Sequence, residues 1–253
     1  MRAIDINADL GESFGNWPMG NDEALIPLIT SANVACGFHA SDPTTMLTTV
    51  RTAKQHGVAV GAHPGLPDML GFGRRVMRIS GEDMYGYIVY QVGALQATLA
   101  VNGMALHHVK PHGALYAMLR DDDELGEAAA GALVDLGSPL SYFPAPVAST
   151  AFGRAAAARG LKVVGEIYPD LGYEDDATLV LQRSKHHTDP AAAAEMVSRF
   201  LKDGNVTSLD GAAIPLEAES ICVHGDGPNA AEVAAAIRKA VEASGCSLET
   251  RAV

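Results

Sequence analysis

The chain has 253 residues, of which 48% are hydrophobic and 6% aromatic, and it carries a formal charge of −12. That length and an apolar content dominated by Ala, Val, Leu and Ile suit one α/β domain over residues 1–253 with a sizeable core. The acidic balance repels phosphate backbones and anionic lipid, which argues against nucleic acid or a membrane surface as partner.

Short apolar runs alternate with helical patterns along the chain. Run one is Ala3–Ala8, followed by a predicted helix over Asn21–Thr30. Run two is Ala32–Phe38, with a helix over Pro43–His56. Run three, Val58–Ala62, leads through an irregular stretch to a long helix over Gly81–Asn102. Run four is Ala105–Val109, with a helix over Asp121–Leu136. Run five is Leu140–Phe143, with a helix over Ser149–Arg159. Run six, Leu161–Ile167, precedes a long connection holding a predicted short strand at Thr178–Gln182, then a helix over Pro190–Lys202. Run seven, Ser220–Val223, precedes the closing helix Asn229–Ser244.

Helix punctuation supports this reading. Asp42-Pro43 and Asp189-Pro190 each place a capping carboxylate before a proline in the first helical position, where the missing N–H costs nothing. Ser80 with Asp83 has the form of a capping box. Repeated strand–helix units predict parallel strands with right-handed crossovers, closed as a barrel or open as a doubly wound sheet. The connections Tyr168–Asp189 and Asp203–Glu219 are long enough to serve as lids or partner surfaces.

The apolar runs end in chemically capable side chains. Run one ends in Asp9 and Glu12, run two in His39 and run three in His63. Run four ends in Lys110 and His112, run six in Glu166 and Asp170, and run seven in His224 and Asp226. In parallel α/β folds all strand C-termini lie on one face, so these distant residues converge on one pocket. Lys110 and Glu166 follow continuous apolar runs and would lose hydration unless paired or functional. Asp9, His39, His63, His112 and His224 could supply a site for a divalent metal such as zinc, manganese or iron, although no local metal motif is present. Cys36 and Cys222 sit in apolar runs and read as small buried hydrophobes. The pair His186-His187 reads as an exposed loop. The first residues carry no signal-peptide pattern and no stretch is long and apolar enough to span a bilayer, so a cytoplasmic setting is expected.

The blocks DINADLGESFGNWPMGNDEALIPLITSANVACGFHASDP, GAHPGLPDMLGFGRRVM, VKPHGALY and CVHGDGPNA resemble those of the LamB/YcsF family, from about Asp5 to the last helix. The resemblance implies a seven-stranded (β/α) barrel, TIM-like and akin to glycoside hydrolase and deacetylase barrels. It also implies a role beside partner subunits B and C of a 5-oxoprolinase. Such a complex uses ATP, with magnesium, to open the lactam of 5-oxo-L-proline to L-glutamate. The matched positions are Asp9, Glu12, His39, His63, Lys110, His112, His224 and Asp226. Departures lie in the sixth block, EIYPDLGY, where Glu166, Asp170 and Tyr173 remain but Leu171 stands for an expected arginine. LVLQR and KHHTD also differ from the family pattern there.

On this reading Asp9 or Glu12 activates water, Lys110 stabilises an anionic oxygen or the substrate carboxylate, and His112 and Glu166 complete the catalytic set. His39, His63, His224, Asp226 and Asp170 hold substrate, and Asp9, His39, His63 and His112 are the metal candidates. Two rival readings stay open. One is a metal-dependent hydrolase of carbohydrate-deacetylase type; the other is a non-catalytic component that only binds and presents the lactam. Self-association is equally open.

Overall fold

A computed structural model describes residues 2–180, 182 and 185–251. The main strands are β1 (Ala3–Leu10), β2 (Ser31–Ala35), β3 (Ala59–His63), β4 (Leu140–Pro144) and β5 (Lys162–Ile167). Two hairpins follow: β6 (Gly172–Tyr173) with β7 (Leu179–Val180), and β8 (Asn205–Thr207) with β9 (Ala213–Pro215). Then come β10 (Ser220–His224) and β11 (Ser247–Leu248). The main sheet is parallel and runs β3-β2-β1-β10-β5-β4, with β11 added beside the start of β1.

The strand sequences explain how the sheet curls. In β1, Ile4, Ile6, Ala8 and Leu10 join the apolar core, while the alternate residues Asp5, Asn7 and Asp9 are also buried. In β2, Ser31 and Asn33 alternate with Ala32 and Val34, and in β10 Ser220 and Cys222 alternate with Ile221 and Val223. Because side chains alternate across a strand, one face is apolar and packs on helices, and the other is polar. The polar faces meet each other: Asn7 donates to Glu166 and Ser220, and Asn33 donates to Asn7 and Asp9. The sheet is therefore curled around a hydrogen-bonded polar interior.

The fourth predicted strand is the main departure. Residues 105–109 form no strand, and Val109 makes only single bridges to Ala62 and Ser141. Backbone hydrogen bonds nevertheless run on both sides: Lys110 N to Ala62 O at 2.9 Å, and Tyr142 N to Val109 O at 2.9 Å. This segment thus lies between the outer strands β3 and β4. On the β4 side the pairing stops at Pro111, which has no N–H to donate, while on the β3 side His112 N still donates to Pro64 O. The described architecture is a curled parallel α/β sheet bridged at one seam, rather than seven full strands.

The helices are α1 (Asp22–Leu25), α2 (Pro43–Gln55), α3 (Gly81–Val101), α4 (Ala114–Asp121), α5 (Asp123–Asp135), α6 (Ala151–Ala158), α7 (Pro190–Asp203) and α8 (Ala230–Ala243). Asp42 caps α2 by accepting from Thr44 N and Thr45 N, and both halves of the Ser80–Asp83 capping box are formed. The helix expected over Asn21–Thr30 shrinks to α1 and a 3-10 turn, Ile26–Leu28, with Pro27 at the break. The sequence pattern gave no sign of α4, whose buried stripe is Leu115, Met118 and Leu119. It follows Gly113, whose φ of +51° and 2.9 Å approach of Gly73 O to a would-be Cβ both require glycine. Asp122 ends α4 and caps α5, so the helix predicted over Asp121–Leu136 is present and starts two residues later than expected. The short strand predicted at Thr178–Gln182 is represented by β7; residues 181 and 183 of the LVLQR stretch lie outside the described residues.

Candidate active site

Asp9, at the end of β1, anchors the mouth of the curled sheet. Its Oδ1 accepts from Lys110 Nζ at 2.8 Å and from Asn33 Nδ2 at 2.8 Å. Its Oδ2 lies 3.3 Å from His63 Nε2 and 3.8 Å from His224 Nε2. Parallel register makes this meeting unavoidable, since Asp9 pairs with Asn33 on one side and His224 on the other. Burial would raise the Asp9 carboxyl, but His63 and Lys110 outweigh it and hold it well below the usual carboxylate range. Lys110 is the converse case: burial favours the neutral amine, yet Asp9 above all pushes its pKa well above the ordinary lysine value. Glu166 lies 3.8 Å from Lys110 Nζ and accepts from Asn7 and from the Tyr168 hydroxyl. Burial raises its carboxyl above the ordinary value despite these donors.

Beside Asp9 lies a group of acceptors. His63 Nδ1 faces the Lys110 carbonyl at 2.7 Å, and His112 Nε2 faces the Phe72 carbonyl at 2.8 Å. A carbonyl only accepts, so each of these nitrogens carries the ring proton. His63 Nε2 and His112 Nδ1 face each other at 3.0 Å. Glu12 Oε1 lies 3.7 Å from His112 Nδ1 and 3.2 Å from His39 Nε2. The His39 and His112 rings stack at 3.7 Å, and His39 Nδ1 is buried without a hydrogen-bond partner among the described residues. Burial pushes His39 and His112 well below the ordinary histidine value, so both stay neutral. Burial, with Asp226 and Asp9 nearby, pushes Glu12 well above its ordinary value.

Two ring nitrogens this close need a cation between them, either a proton on His63 or a metal ion. Glu12, His39, His63 and His112 offer donor atoms that all lie within 4.8 Å of one another, a nitrogen-rich set that fits a divalent metal. The sequence-based metal set had Asp9 where this group has Glu12. The reason is that Asp9 Oδ1 is committed to Lys110 and Asn33; Asp9 falls instead into a second group with Cys222 and His224.

On the far side of Asp9, Asp170 accepts from His224 N at 3.1 Å and from His224 Nδ1 at 2.9 Å. That fixes the imidazole with its Nε2 toward Asp9 and a cleft lined also by His63, Lys110, His112 and Tyr168. Burial would raise the Asp170 carboxyl, but His224 and Lys185 bring it below the usual carboxylate range. Asp226 pairs with Arg74 at 2.8 Å, and the Arg74 guanidinium also lies over the Phe72 ring.

A model of the LamB/YcsF family matches residues 4–252. The chain belongs to the LamB/YcsF family. A Thermus thermophilus relative, 47% identical over 98% of this chain and 99% of its own, is named as the A component of 5-oxoprolinase. The crystal structure of a lactam utilization protein from Thermus thermophilus superposes with a TM-score of 0.89 at 43% identity, covering 99% of this chain and 100% of that one. A family 4 carbohydrate esterase from Streptomyces lividans shares the fold, with a TM-score of 0.51 at 14% identity over 99% of this chain and 93% of its own.

In this LamB/YcsF chain the structure thus brings Asp9, Glu12, His39, His63, Lys110, His112, Glu166, Asp170 and His224 to one mouth. It also adds residues that the sequence pattern did not single out. Cys222, expected to be a plain hydrophobe, has its Sγ 2.9 Å from Lys110 Nζ, and burial keeps it a thiol. Asn7 and Asn33 were legible as the polar half of an alternating strand. Tyr168, Arg74 and Lys185 carried no local signal, because their positions depend on how loops fold over the mouth.

Proposed function

We propose that this chain is the A component of an ATP-dependent 5-oxoprolinase, working in the cytosol with subunits B and C to open 5-oxo-L-proline to L-glutamate. The observation that carries the reading is a single buried cluster in which a lysine, a fixed imidazole and paired carboxylates surround one cleft, in a chain whose relatives bear that component's name. The segment 107–110 serves in this reading as the seventh stave of a closed barrel.

An amide carbonyl is a weak electrophile. Magnesium-ATP, bound at the level of the complex, supplies the phosphoryl group that activates the lactam oxygen. His224, with Nδ1–H held by Asp170, presents a basic Nε2 to the cleft and takes the proton of the attacking water. Asp9 is a poorer base than the sequence suggested, because Lys110 and Asn33 already occupy Oδ1. Lys110 stays charged and faces the developing negative charge on oxygen. Glu166, held above its ordinary pKa, can carry the proton that the ring nitrogen needs as the C–N bond breaks. A second water releases phosphate, so the reaction consumes ATP and two waters and yields glutamate, ADP and phosphate.

Glu12, His39, His63 and His112 would hold a divalent metal, which polarises a carbonyl or lowers the pKa of bound water. The test is glutamate release by the purified three-component complex, with and without ATP. His224→Ala and Lys110→Ala should each abolish most of it; undiminished turnover would refute the assignment. Metal analysis of the same preparation should find one equivalent of metal that is lost in Glu12→Gln.

A further inference from the structure

Among the described residues, three cations line the cleft: Arg74, Lys110 and Lys185. Two are held tightly by the protein's own acids. Lys110 pairs with Asp9 at 2.8 Å, and Arg74 pairs with Asp226 at 2.8 Å. The third contact is longer: Lys185 Nζ lies 3.4 Å from Asp170 Oδ2. Asp170 has closer donors, because the His224 backbone N–H and Nδ1–H also donate to that carboxylate. Yet the Lys185 side chain is only 4% exposed. An ammonium taken out of water with one long contact among the described residues is poised to receive an anion, and its three N–H donors can turn toward one.

The surroundings match the rest of such a ligand. Leu171 and Leu179 supply an apolar wall for ring methylenes, and Gln182 adds an amide beside the lysine. The chain's charge of −12 opposes entry of any anion, so a local cation must reverse the field at the cleft. Leu171 and Lys185 also fall in the stretches where this sequence departs from the family pattern.

We propose that Lys185 takes the carboxylate of the lactam acid and makes the site prefer an anionic lactam to a neutral one; this rests on the 5-oxoprolinase reading. Lys185 is then a specificity residue. It binds the end of the substrate remote from the reacting carbon and holds ground state and transition state alike, so its loss should appear in KM rather than kcat.

The experiment uses the reconstituted three-component complex, wild type, Lys185→Met and Lys185→Arg. KM and kcat are read with 5-oxo-L-proline, and the inhibition constant with 2-pyrrolidinone, the same ring without the carboxylate. Lys185→Met should raise KM for the acid about tenfold or more, the loss of one charge-assisted hydrogen bond, and leave kcat within about twofold. The inhibition constant of 2-pyrrolidinone should not move, and Lys185→Arg should recover most of the lost affinity. With an active wild type, an unchanged KM in Lys185→Met, or equal weakening of the acid and the neutral ring, overturns the role of Lys185 alone. A wild-type complex that releases no glutamate from 5-oxo-L-proline overturns the functional reading and this one together.

Discussion

Asp5 and Asp9 sit on the same face of the same strand, and both are buried, yet they live in opposite chemical surroundings. Asp5 is met by hydroxyls: Thr30 at 2.6 Å, Ser31 at 2.8 Å and Ser220 at 2.6 Å. Burial outweighs those neutral donors and raises its carboxyl above the ordinary value. Asp9, further along the pleat and nearer the mouth, is met by the Lys110 ammonium and by imidazoles, and is held well below. The lower layer meets both Asp5 oxygens with neutral hydroxyl donors. The upper layer sets His63 Nε2 against His112 Nδ1 with a proton or a metal ion to share, and turns His224 toward the cleft. Polar burial alone therefore does not mark a site; a mismatch between donors and acceptors does.

Substitution in the two layers should separate them. Asp9→Asn, which keeps the shape and removes the charge opposite Lys110, should lower kcat of the complex roughly 10³-fold, about 4 kcal/mol in the barrier. Asp5→Asn should leave kcat within about threefold, since hydroxyls still find an acceptor there. If both variants lose activity equally, the layers are one functional unit and the comparison fails. Asp5→Ala should instead cost about 3 kcal/mol of stability in urea denaturation, because buried hydroxyls lose their acceptor. A fully stable Asp5→Ala would show that water replaces the carboxylate.

Much of this arrangement was legible in the chain. Alternation in AIDINADL and SICVH reports a strand with one apolar and one polar face, and strand-end polar residues in a parallel fold must share a mouth. What was not legible depends on contacts rather than on pattern. Residues 105–109 look like a strand, but Pro111 removes the next donor toward β4, and only Val109 is bridged on both sides. Helix α4 is too short for its period to stand out beside the acidic run that follows. Glu12 rather than Asp9 joins the histidine group because the competition for Lys110 is settled in three dimensions. Lys185 acquires its position only when the Tyr168–Asp189 connection folds over the cleft. The exposed His186-His187 beside it behaves as the composition suggested.

His108 joins the two layers and offers the smallest of these tests. Its Nε2 lies 2.6 Å from Asn33 Oδ1, and Asn33 in turn donates to both Asn7 and Asp9. An amide oxygen only accepts, so His108 must donate from Nε2, and that choice orients the Asn33 amide toward the two acceptors above and below. Burial, with His107 and Lys110 close by, pushes His108 well below the ordinary histidine value and keeps it neutral. Such a group is protonated in the unfolded chain below about pH 6.5 but not in the folded one. The unfolded state then binds more protons, so stability falls as pH drops through that value and is recovered above it. For one histidine held neutral throughout, the loss between pH 7.5 and 5.5 is about 1.4 kcal/mol. His108→Gln, whose amide can still donate to Asn33, should remove that share of the slope and leave the rest of the pH profile in place. Urea denaturation of both proteins across the interval measures the difference directly. Parallel profiles would mean that His108 titrates in the folded state, and that the Asn33 bridge between the layers is not held by a neutral ring.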